Sequence, residues 1–544
     1  MGNCVSRSQQ PYSASRSSYS EKKLETSISD SLPIAEPTTS FWSIPAAPIA
    51  ALNSQGNLPS HADVVIIGSG ISGASFARTL LEHGDGLHVV MLEAHDVCSG
   101  ATGRNGGHIY PPTYHDYEDL KKRVGEDMAK KMVRFRKSHL DEILEVAAEE
   151  GITKYTQCRA VEGVDVYFDK PTFIEAQRKL KVYQRDMGKH AGSFTCFEGL
   201  EAQQKFHLSP LAVGCITTRA GAIHPYRFVT SILSRLIIDY PKEFEIYTRT
   251  LCTSIDEPTS ICPFYTLTTS RGVITTPHVV HLTNVYAPAL LPFLKGAILP
   301  VRETMTAQRP GRNLHASTLH GGRSFVFFDS PSKGFDYLTQ LSEGEHELMF
   351  GAGFESPADS RVKGMYGVHS AAHTGGAMPI YFGAESWGAE ALPTTPKDDE
   401  DAGASEGIWA EGRVKAIWSG LLSESVDGMP WVGKVHVELA GRKAPPASST
   451  PSALIDPHSN TEKQKSALTA APGEWIAAGY SGEGMVHAWR SSQALALMLL
   501  GEDLTEVNTW LPELFGVTDE RAKLAKRTFK PGFVLSGKKC VFSL

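Results

Sequence analysis

The chain has 544 residues, of which 41% are hydrophobic and 21% are charged, and its formal net charge is −7. That length allows two or three domains of an ordinary globular protein, and the mild negative charge makes nucleic acid an unexpected partner. The eight cysteines are scattered, without a C-x-x-C pair or a Cys/His cluster of metal-ligand spacing. We therefore predict no metal site, and we expect free thiols in a reducing, cytoplasmic compartment.

The chain begins with Met-Gly-Asn-Cys-Val-Ser, a pattern that fits N-myristoylation at Gly2. One myristoyl chain binds a membrane only marginally, and Cys4 offers palmitoylation as the second signal that stable anchoring requires. Residues 1–40 are rich in serine and predict a disordered tail. The tail predicts either a lipid anchor at the cytoplasmic face of a membrane or a soluble protein that begins with this pattern by chance.

A dinucleotide-binding βαβ unit is predicted from residue 63 onward. A short apolar run precedes the Gly-x-Gly-x-x-Gly of Gly68, Gly70 and Gly73, and a helical pattern leads to a second apolar run that ends in Glu93. The three glycines allow a tight turn, close approach to a pyrophosphate and close helix packing. Glu93 is placed to accept hydrogen bonds from an adenosine ribose, and its charge disfavours NADP. The unit alone leaves NAD and FAD open.

Later segments continue a mixed helix and strand pattern. Two of them are rich in proline, alanine, serine and polar residues and predict surface insertions, at 384–408 and 440–472. The periodicity predicts helices over 117–150 and 226–240, short strands with a helix over 152–215, strands at 244–256, 263–269 and 273–282, and a strand, turn and helix over 475–501.

An ordered set of motifs goes beyond a generic dinucleotide unit. It consists of Ser99–His108, Val279–Asn284, Pro300–Arg302, Asp427–Gly433 and Gly479–Met485. The set resembles the D-amino-acid-oxidase-like superfamily of FAD-dependent oxidoreductases. Its Gly-Arg-Asn-Gly-Gly segment is most similar to γ-glutamylputrescine oxidase-like and related fungal proteins.

The resemblance implies an α/β fold in which a Rossmann-type FAD-binding domain is interleaved with an antiparallel-sheet substrate domain, as in glutathione-reductase-2-like proteins. The predicted FAD-binding domain comprises 60–115, 220–295 and 410–505, and the substrate domain comprises 150–219 and 296–409. A low-complexity insertion is predicted at 440–472 and a C-terminal extension at 506–544.

The implied cofactor is FAD, held non-covalently. Gly420 and its neighbours occupy the region in which sarcosine oxidases carry their flavin-linked cysteine. The histidine that dimethylglycine dehydrogenases use would fall near Arg104. His108 lies four residues further on, and it is the residue that could contradict the expectation of non-covalent FAD. The predicted cofactor-binding residues are Gly68, Ser69, Gly70, Ser72, Gly73, Glu93, Thr102, Gly103, Arg104, Asn105, Gly106, Gly107, Cys252, Gly482, Gly484 and Met485.

The implied reaction is oxidation of a C–N bond in an amine or amino-acid-type substrate. Hydride passes from the α-carbon to flavin N5, the imine is hydrolysed, and O₂ or another acceptor reoxidises the flavin. Tyr337 and Arg302 are the candidate catalytic residues, and Arg302 would suit a substrate carboxylate. The alternative for Tyr337 is a packed tyrosine of the sheet, and the alternative for Arg302 is that it fixes the turn or a nearby carboxylate. Lys333 could promote oxygen reactivity but is more simply a loop lysine, and Asp165 and Asp169 are expected in solvated loops.

Other functions stay open from the sequence. One is a membrane-tethered flavin dehydrogenase with a non-oxygen acceptor, and another is a catalytically idle flavoprotein that acts as a binding module. An NAD-dependent dehydrogenase is disfavoured because it would leave the later glycine motifs unexplained.

Overall fold

The computed structural model describes residues 32–33, 38–314, 321–330, 334–355, 368–390, 408–447 and 468–528. The predicted lipidation sites Gly2 and Cys4, Lys333 and most of the two predicted insertions lie outside these residues. Within the described ranges, no helix is both long and apolar enough to cross a membrane.

Helices and strands alternate along the described chain. The strands are β1 (Val64–Ile67), β2 (Val89–Leu92), β3 (His108–Ile109), β4 (Arg159–Tyr167), β5 (Thr195–Glu198), β6 (Gly214–Ala222), β7 (Phe244–Tyr247), β8 (Cys252–Asp256), β9 (Tyr265–Thr269), β10 (Gly272–Thr276), β11 (His278–His281), β12 (Ile298–Gln308), β13 (Arg323–Ser330), β14 (Gly334–Gln340), β15 (Leu348–Glu355), β16 (Val414–Ser425), β17 (Trp431–Val435) and β18 (Gly473–Ala478). The helices are α1 (Ile71–His83), α2 (Tyr117–Val124), α3 (Glu126–Glu149), α4 (Lys170–Met187), α5 (Gly199–Phe206), α6 (Pro225–Asp239), α7 (Ala287–Leu290), α8 (Val368–Gly376), α9 (Met378–Trp387), α10 (Val437–Ala440), α11 (Ala488–Leu500), α12 (Val507–Trp510) and α13 (Asp519–Thr528).

A six-stranded sheet contains the predicted βαβ unit. Its strand order is β17-β18-β11-β1-β2-β7, and every neighbouring pair is parallel except β17 with β18. All four residues of β1 are buried, as expected for a parallel strand covered on both faces. Because the central strands run in the same direction, their carboxyl ends meet at one edge of the sheet.

Layers pack on both faces of this sheet. Val64 and Ile66 belong to a large core cluster shared with α1, α6 and α11, whereas Val65 and Ile67 belong to a second cluster with the β8-β9-β10 sheet. That smaller sheet is antiparallel. Burial of these apolar side chains fixes the parallel sheet between its two covering layers.

A third sheet follows the order β16-β12-β15-β14-β13-β4-β6-β3, with β5 beside β6. Its pairs are antiparallel except β4 with β13. β16 belongs to this sheet, although the sequence analysis placed 410–505 in the FAD-binding domain. The reason is the long β12–β16 pairing, which runs from Ile298 opposite Ser425 to Gln308 opposite Val414.

The beginning of the C-terminal extension packs on the turn that follows β16. Arg521 of α13 pairs with the Asp427 carboxylate, with 2.7 Å between Nε and Oδ2. Its guanidinium also donates to the carbonyls of Met429 (2.7 Å) and Pro430 (2.8 Å) and lies 3.8 Å from the centroid of the Trp431 ring. Arg521 thus connects the extension to the edge strand β17.

Replacing Arg521 with alanine should lower the free energy of unfolding by about 2 kcal/mol, because the half-buried Asp427 carboxylate would lose its partner. Thermal unfolding followed by circular dichroism would measure the shift. Lys523→Ala, at an exposed position of the same helix, is the matched control. Equal melting temperatures for the two variants would contradict this role of Arg521.

Candidate active site

A cleft lies along the carboxyl edge of the parallel sheet. Most of its lining residues come from the segments 67–72, 92–95, 99–105, 250–252, 282–286, 419–423 and 480–485. Four of these segments directly follow the parallel strands β1, β2, β11 and β18. Ligands of open α/β sheets bind at this edge, outside the carboxyl ends of the strands.

The turn between β1 and α1 brings backbone groups to the cleft. Gly68 has a φ of +111°, and a Cβ there would lie 2.7 Å from the carbonyl oxygen of Leu282. A Cβ on Gly73 would lie 2.3 Å from the carbonyl oxygen of Gly68. Gly70 precedes α1 and offers no capping side chain. The Ile71 N–H donates to the Thr102 hydroxyl at 3.0 Å. The positive end of α1 thus faces the cleft, where its remaining N–H groups could donate hydrogen bonds to a phosphate.

Glu93 is held at the end of β2 by three donors. Its Oε2 accepts from the Ser69 hydroxyl (2.6 Å) and the Ser69 N–H (3.2 Å), and its Oε1 accepts from the His95 N–H (3.0 Å). A carboxylate has about four lone-pair sites, so capacity remains for a ligand hydroxyl.

One buried hydroxyl in the cleft has no partner among the described residues. Thr283 Oγ1 lines the cleft just after β11 and makes no hydrogen bond within that part of the chain. An unsatisfied buried polar group costs about 1–3 kcal/mol, which a bound polar ligand would recover. The N–H groups of α1, the remaining acceptor capacity of Glu93 and this hydroxyl together fit the adenosine and pyrophosphate parts of a dinucleotide.

Side-chain hydrogen bonds join distant segments around the cleft. Ser72 of α1 and Tyr480 have their hydroxyl oxygens 2.8 Å apart. The side-chain oxygen of Asn284 accepts from the Gly479 N–H (3.0 Å) and the Ser423 hydroxyl (2.6 Å). The glycine-rich loop before α11 is therefore fixed to both β11 and β16.

The segment 102–107 is clamped by two buried tryptophans. Trp418 Nε1 donates to the Arg104 carbonyl at 2.8 Å, and Trp42 Nε1 donates to the Asn105 carbonyl. The Arg104 guanidinium donates to the carbonyls of Ser99 (2.8 Å) and Ser419 (2.9 Å) and to the hydroxyl of Thr38 (3.2 Å). Arg104 lines the cleft, but protein oxygens already occupy much of its hydrogen-bonding capacity.

Cys252 also lines the cleft. Burial raises the pKa of its thiol to about 12, so the group stays protonated at neutral pH. Among the described residues the cleft therefore offers no thiolate, which fits non-covalent FAD.

The structure brings most of the predicted cofactor-binding residues together. Gly73, Gly103 and Gly107 pack against backbone instead of lining the cleft, and Gly106 borders a neighbouring cavity. The predicted residues that line the cleft are Gly68, Ser69, Gly70, Ser72, Glu93, Thr102, Arg104, Asn105, Cys252, Gly482, Gly484 and Met485.

The neighbouring cavity, here called the aromatic cavity, shares Asn105, Leu422, Gly482 and Met485 with the cleft. Its aromatic walls are Tyr110, Phe328, Phe335 and Tyr337, and its titratable residues also include His108, His115, Asp165, Glu303 and Glu483.

Tyr337, a predicted catalytic residue, lines this cavity from β14. Its ring occupies the space over two glycines, since a Cβ on Gly351 or Gly106 would lie 2.4 Å or 2.5 Å from ring atoms. The His108 ring meets it edge-on, with 4.7 Å between centroids. Burial lowers the pKa of His108 to about 3, so the imidazole is neutral.

Arg302, the other candidate, is buried but is not among the residues that line either the cleft or the aromatic cavity.

The next residue of β12, Glu303, lines the aromatic cavity instead, because successive side chains of a strand point to opposite faces. Glu303 is 4% exposed, and its Oε1 has no hydrogen-bond partner among the described residues. Burial raises the pKa of this carboxyl to about 7, although a hydrogen bond from Tyr337 acts to lower it. The sequence analysis missed Glu303, because strand pairing decides which face of β12 turns to the cavity.

The expectation that Asp165 lies in a solvated loop was wrong. It is 2% exposed on β4 and accepts from the hydroxyls of Tyr110 (2.8 Å) and Tyr114 (2.6 Å) and from His115 Nε2 (3.0 Å). Three donors allow the carboxylate to be buried. Asp169 instead caps α4, accepting from the Thr172 N–H at 3.0 Å.

Comparison with known proteins identifies a family for this chain. A family model described as FAD dependent oxidoreductase matches residues 63–498. The probable oxidoreductase OrdL of Haemophilus influenzae is 25% identical over 55% of this chain and 66% of its own length. The gamma-glutamylputrescine oxidoreductase of Escherichia coli K12 is 35% identical over 18% of this chain and 22% of its own length. This chain thus spans less than two thirds of these curated relatives.

Among solved structures, glycine oxidase from Geobacillus kaustophilus superposes with a TM-score of 0.56 at 15% identity, covering 85% of this chain and 99% of that one. This likeness confirms the predicted fold class. The family model confirms the predicted cofactor, FAD, and the resemblance on which it was based.

Replacing Thr283 with valine should weaken FAD binding by about five- to tenfold, the effect of one lost hydrogen bond of about 1 kcal/mol, without loss of stability. Titration of the apoprotein with FAD, followed by quenching of flavin fluorescence, would measure the affinity. The control is Thr304→Val, because Thr304 Oγ1 is also buried without a described partner but lies outside the cleft lining. Equal affinities for both variants would exclude a contact between Thr283 and FAD.

Proposed function

This chain belongs to the FAD dependent oxidoreductase family, and we propose on that basis that it oxidises a C–N bond of an amine or amino-acid-type substrate held in the aromatic cavity. FAD, when bound, supplies a two-electron acceptor for a hydride. The observation that carries the proposal is the junction of the cleft with the aromatic cavity at four shared residues. A substrate in the cavity would lie beside a cofactor in the cleft.

The residues of the cavity suit the orientation of a small substrate. Phe328, Phe335 and Tyr337 form apolar walls that would exclude water, and buried polar groups at His108 and Glu303 can fix one orientation. The substrate loses a hydride from carbon and a proton from nitrogen to become an imine. Water then converts the imine to a carbonyl compound and an amine.

One curated relative supports this substrate class. It is named a gamma-glutamylputrescine oxidoreductase, and its aligned segment is 35% identical to this chain. We propose that this chain also acts on an amine or an amino acid. O₂ and a non-oxygen acceptor are both compatible with it.

The holoenzyme, mixed without oxygen with a panel of amines and amino acids, should lose its flavin absorbance near 450 nm with at least one compound. Peroxide formed by the same pair in air would identify an oxidase, and its absence would identify a dehydrogenase. If dithionite bleaches the flavin while no panel compound does, the proposed reaction is wrong and an idle flavoprotein is supported.

We also propose peripheral association with the cytoplasmic face of a membrane through lipidation of Gly2 and Cys4. The support is the pattern of the first six residues, in which the myristoylation signal has a cysteine beside it. Two acyl chains anchor a protein stably, whereas one does not.

Gly2→Ala should move most of the protein from the membrane fraction to the soluble fraction of cells, because the first acyl chain cannot be attached. Cys4→Ser should leave intermediate binding, since one chain remains. Ser13→Ala, outside the pattern, is the control. A membrane fraction unchanged by Gly2→Ala would refute the anchor.

A further inference from the structure

The described lining of the aromatic cavity carries three carboxylates and no lysine or arginine. The acids are Asp165, Glu303 and Glu483. A substrate carboxylate bound there would lose its hydration and meet groups of its own charge. An ammonium group would meet the opposite charge.

Two of the three acids already have strong partners. Asp165 accepts from Tyr110, Tyr114 and His115. Glu483 lies 3.3 Å from the buried guanidinium of Arg136, which also pairs with Asp116 at 2.6 Å.

Glu303 differs from both. The Tyr337 hydroxyl lies beside its carboxyl group but also donates to Met305 Sδ at 3.1 Å, and one of the two Glu303 oxygens is buried without a partner among the described residues. A buried carboxylate in this condition is costly unless a ligand supplies the missing charge or donor. It is therefore the acid best placed to respond to a bound cation.

The aromatic walls add a second attraction. Phe328, Phe335 and Tyr337 line the same cavity as Glu303. Aromatic faces attract ammonium groups, most strongly where water is excluded. Such walls also bind the apolar stem of an amine.

We propose that Glu303 is the specificity-determining residue of this site, pairing with the ammonium group of an amine that carries no α-carboxylate. This inference rests on the proposed function and narrows its substrate class. α-Amino acids should be disfavoured, because their carboxylate would lie beside acids of its own charge in the described lining. Arg302, the residue that would suit such a carboxylate, does not line the cavity.

The test uses holoenzyme and three ligands that share a benzyl group: benzyltrimethylammonium, benzyl alcohol and phenylacetate. The quaternary nitrogen has no lone pair to form a C=N bond as hydride leaves, so this cation binds without being oxidised. Perturbation of the absorbance of bound FAD reports binding. We expect the cation to bind at least about tenfold more tightly than the alcohol, and phenylacetate to bind more weakly than either.

The variant Glu303→Gln keeps the shape and removes the charge, so it should reduce the preference for the cation over the alcohol by about tenfold while flavin content stays unchanged. The aromatic walls remain in this variant, so a small residual preference is expected. Glu303→Asp, which keeps the charge, should retain more of the preference than Glu303→Gln. The proposal is overturned if phenylacetate binds as tightly as the cation, if the cation does not bind, or if Glu303→Gln leaves the preference unchanged.

The pH dependence of cation binding gives a second readout. Glu303 is charged above a pKa of about 7, so the affinity should rise as pH increases through that value. The other titratable groups facing the cavity are Glu483, Asp165, His108, His115, Tyr110 and Tyr337. Burial also raises the pKa of Glu483, so Glu483→Gln is the necessary comparison. A pH dependence lost in Glu483→Gln and kept in Glu303→Gln would overturn the assignment to Glu303.

Failure of this inference is distinguishable from failure of the proposed function. Bleaching by α-amino acids alone would leave C–N oxidation intact and refute the role of Glu303. If cation binding depends on Glu303 but no compound bleaches the flavin, the charge selectivity of the cavity is supported and the proposed C–N oxidation is refuted.

Discussion

The site depends on glycines, which have no side chain, at the point where β1, α1 and β11 meet. A Cβ on Gly73 would lie 2.3 Å from the carbonyl oxygen of Gly68, and a Cβ on Gly68 would lie 2.7 Å from that of Leu282. Backbone therefore contacts backbone at both places, and the N-terminus of α1 is held against the sheet edge. Ser69 and Ser72, which lie between these contacts, fix Glu93 and Tyr480 in turn.

The two compartments of the site have opposite chemical character. The cleft presents helix N–H groups and few charges, which suits an anionic pyrophosphate. The aromatic cavity presents carboxylates between aromatic walls and, in its described lining, no lysine or arginine. Because four residues border both compartments, an anion and a cation could bind side by side without sharing a pocket.

The sequence predicted the cleft better than the cavity for a physical reason. The glycines of the first turn and Glu93 belong to one βαβ unit, so short-range spacing places them together. The position of Glu303 depends on which face of β12 turns inward, and that face is set by pairing with β15 and β16, far along the chain. Asp165 likewise depends on partners, Tyr110 and Tyr114, that a separate segment brings to β4. The motif resemblance and the chemistry of arginine therefore favoured Arg302 over its neighbour, and the local pair of acids led us to place Asp165 in solvent.

The stretch before β1 is part of the cleft wall. The Thr38 hydroxyl accepts from the Ser419 N–H at 3.0 Å and from Arg104, and Trp42 supports the Asn105 carbonyl. A chain trimmed to the start of the βαβ unit would keep every glycine of the fingerprint and still lose a supporting layer of its flavin site.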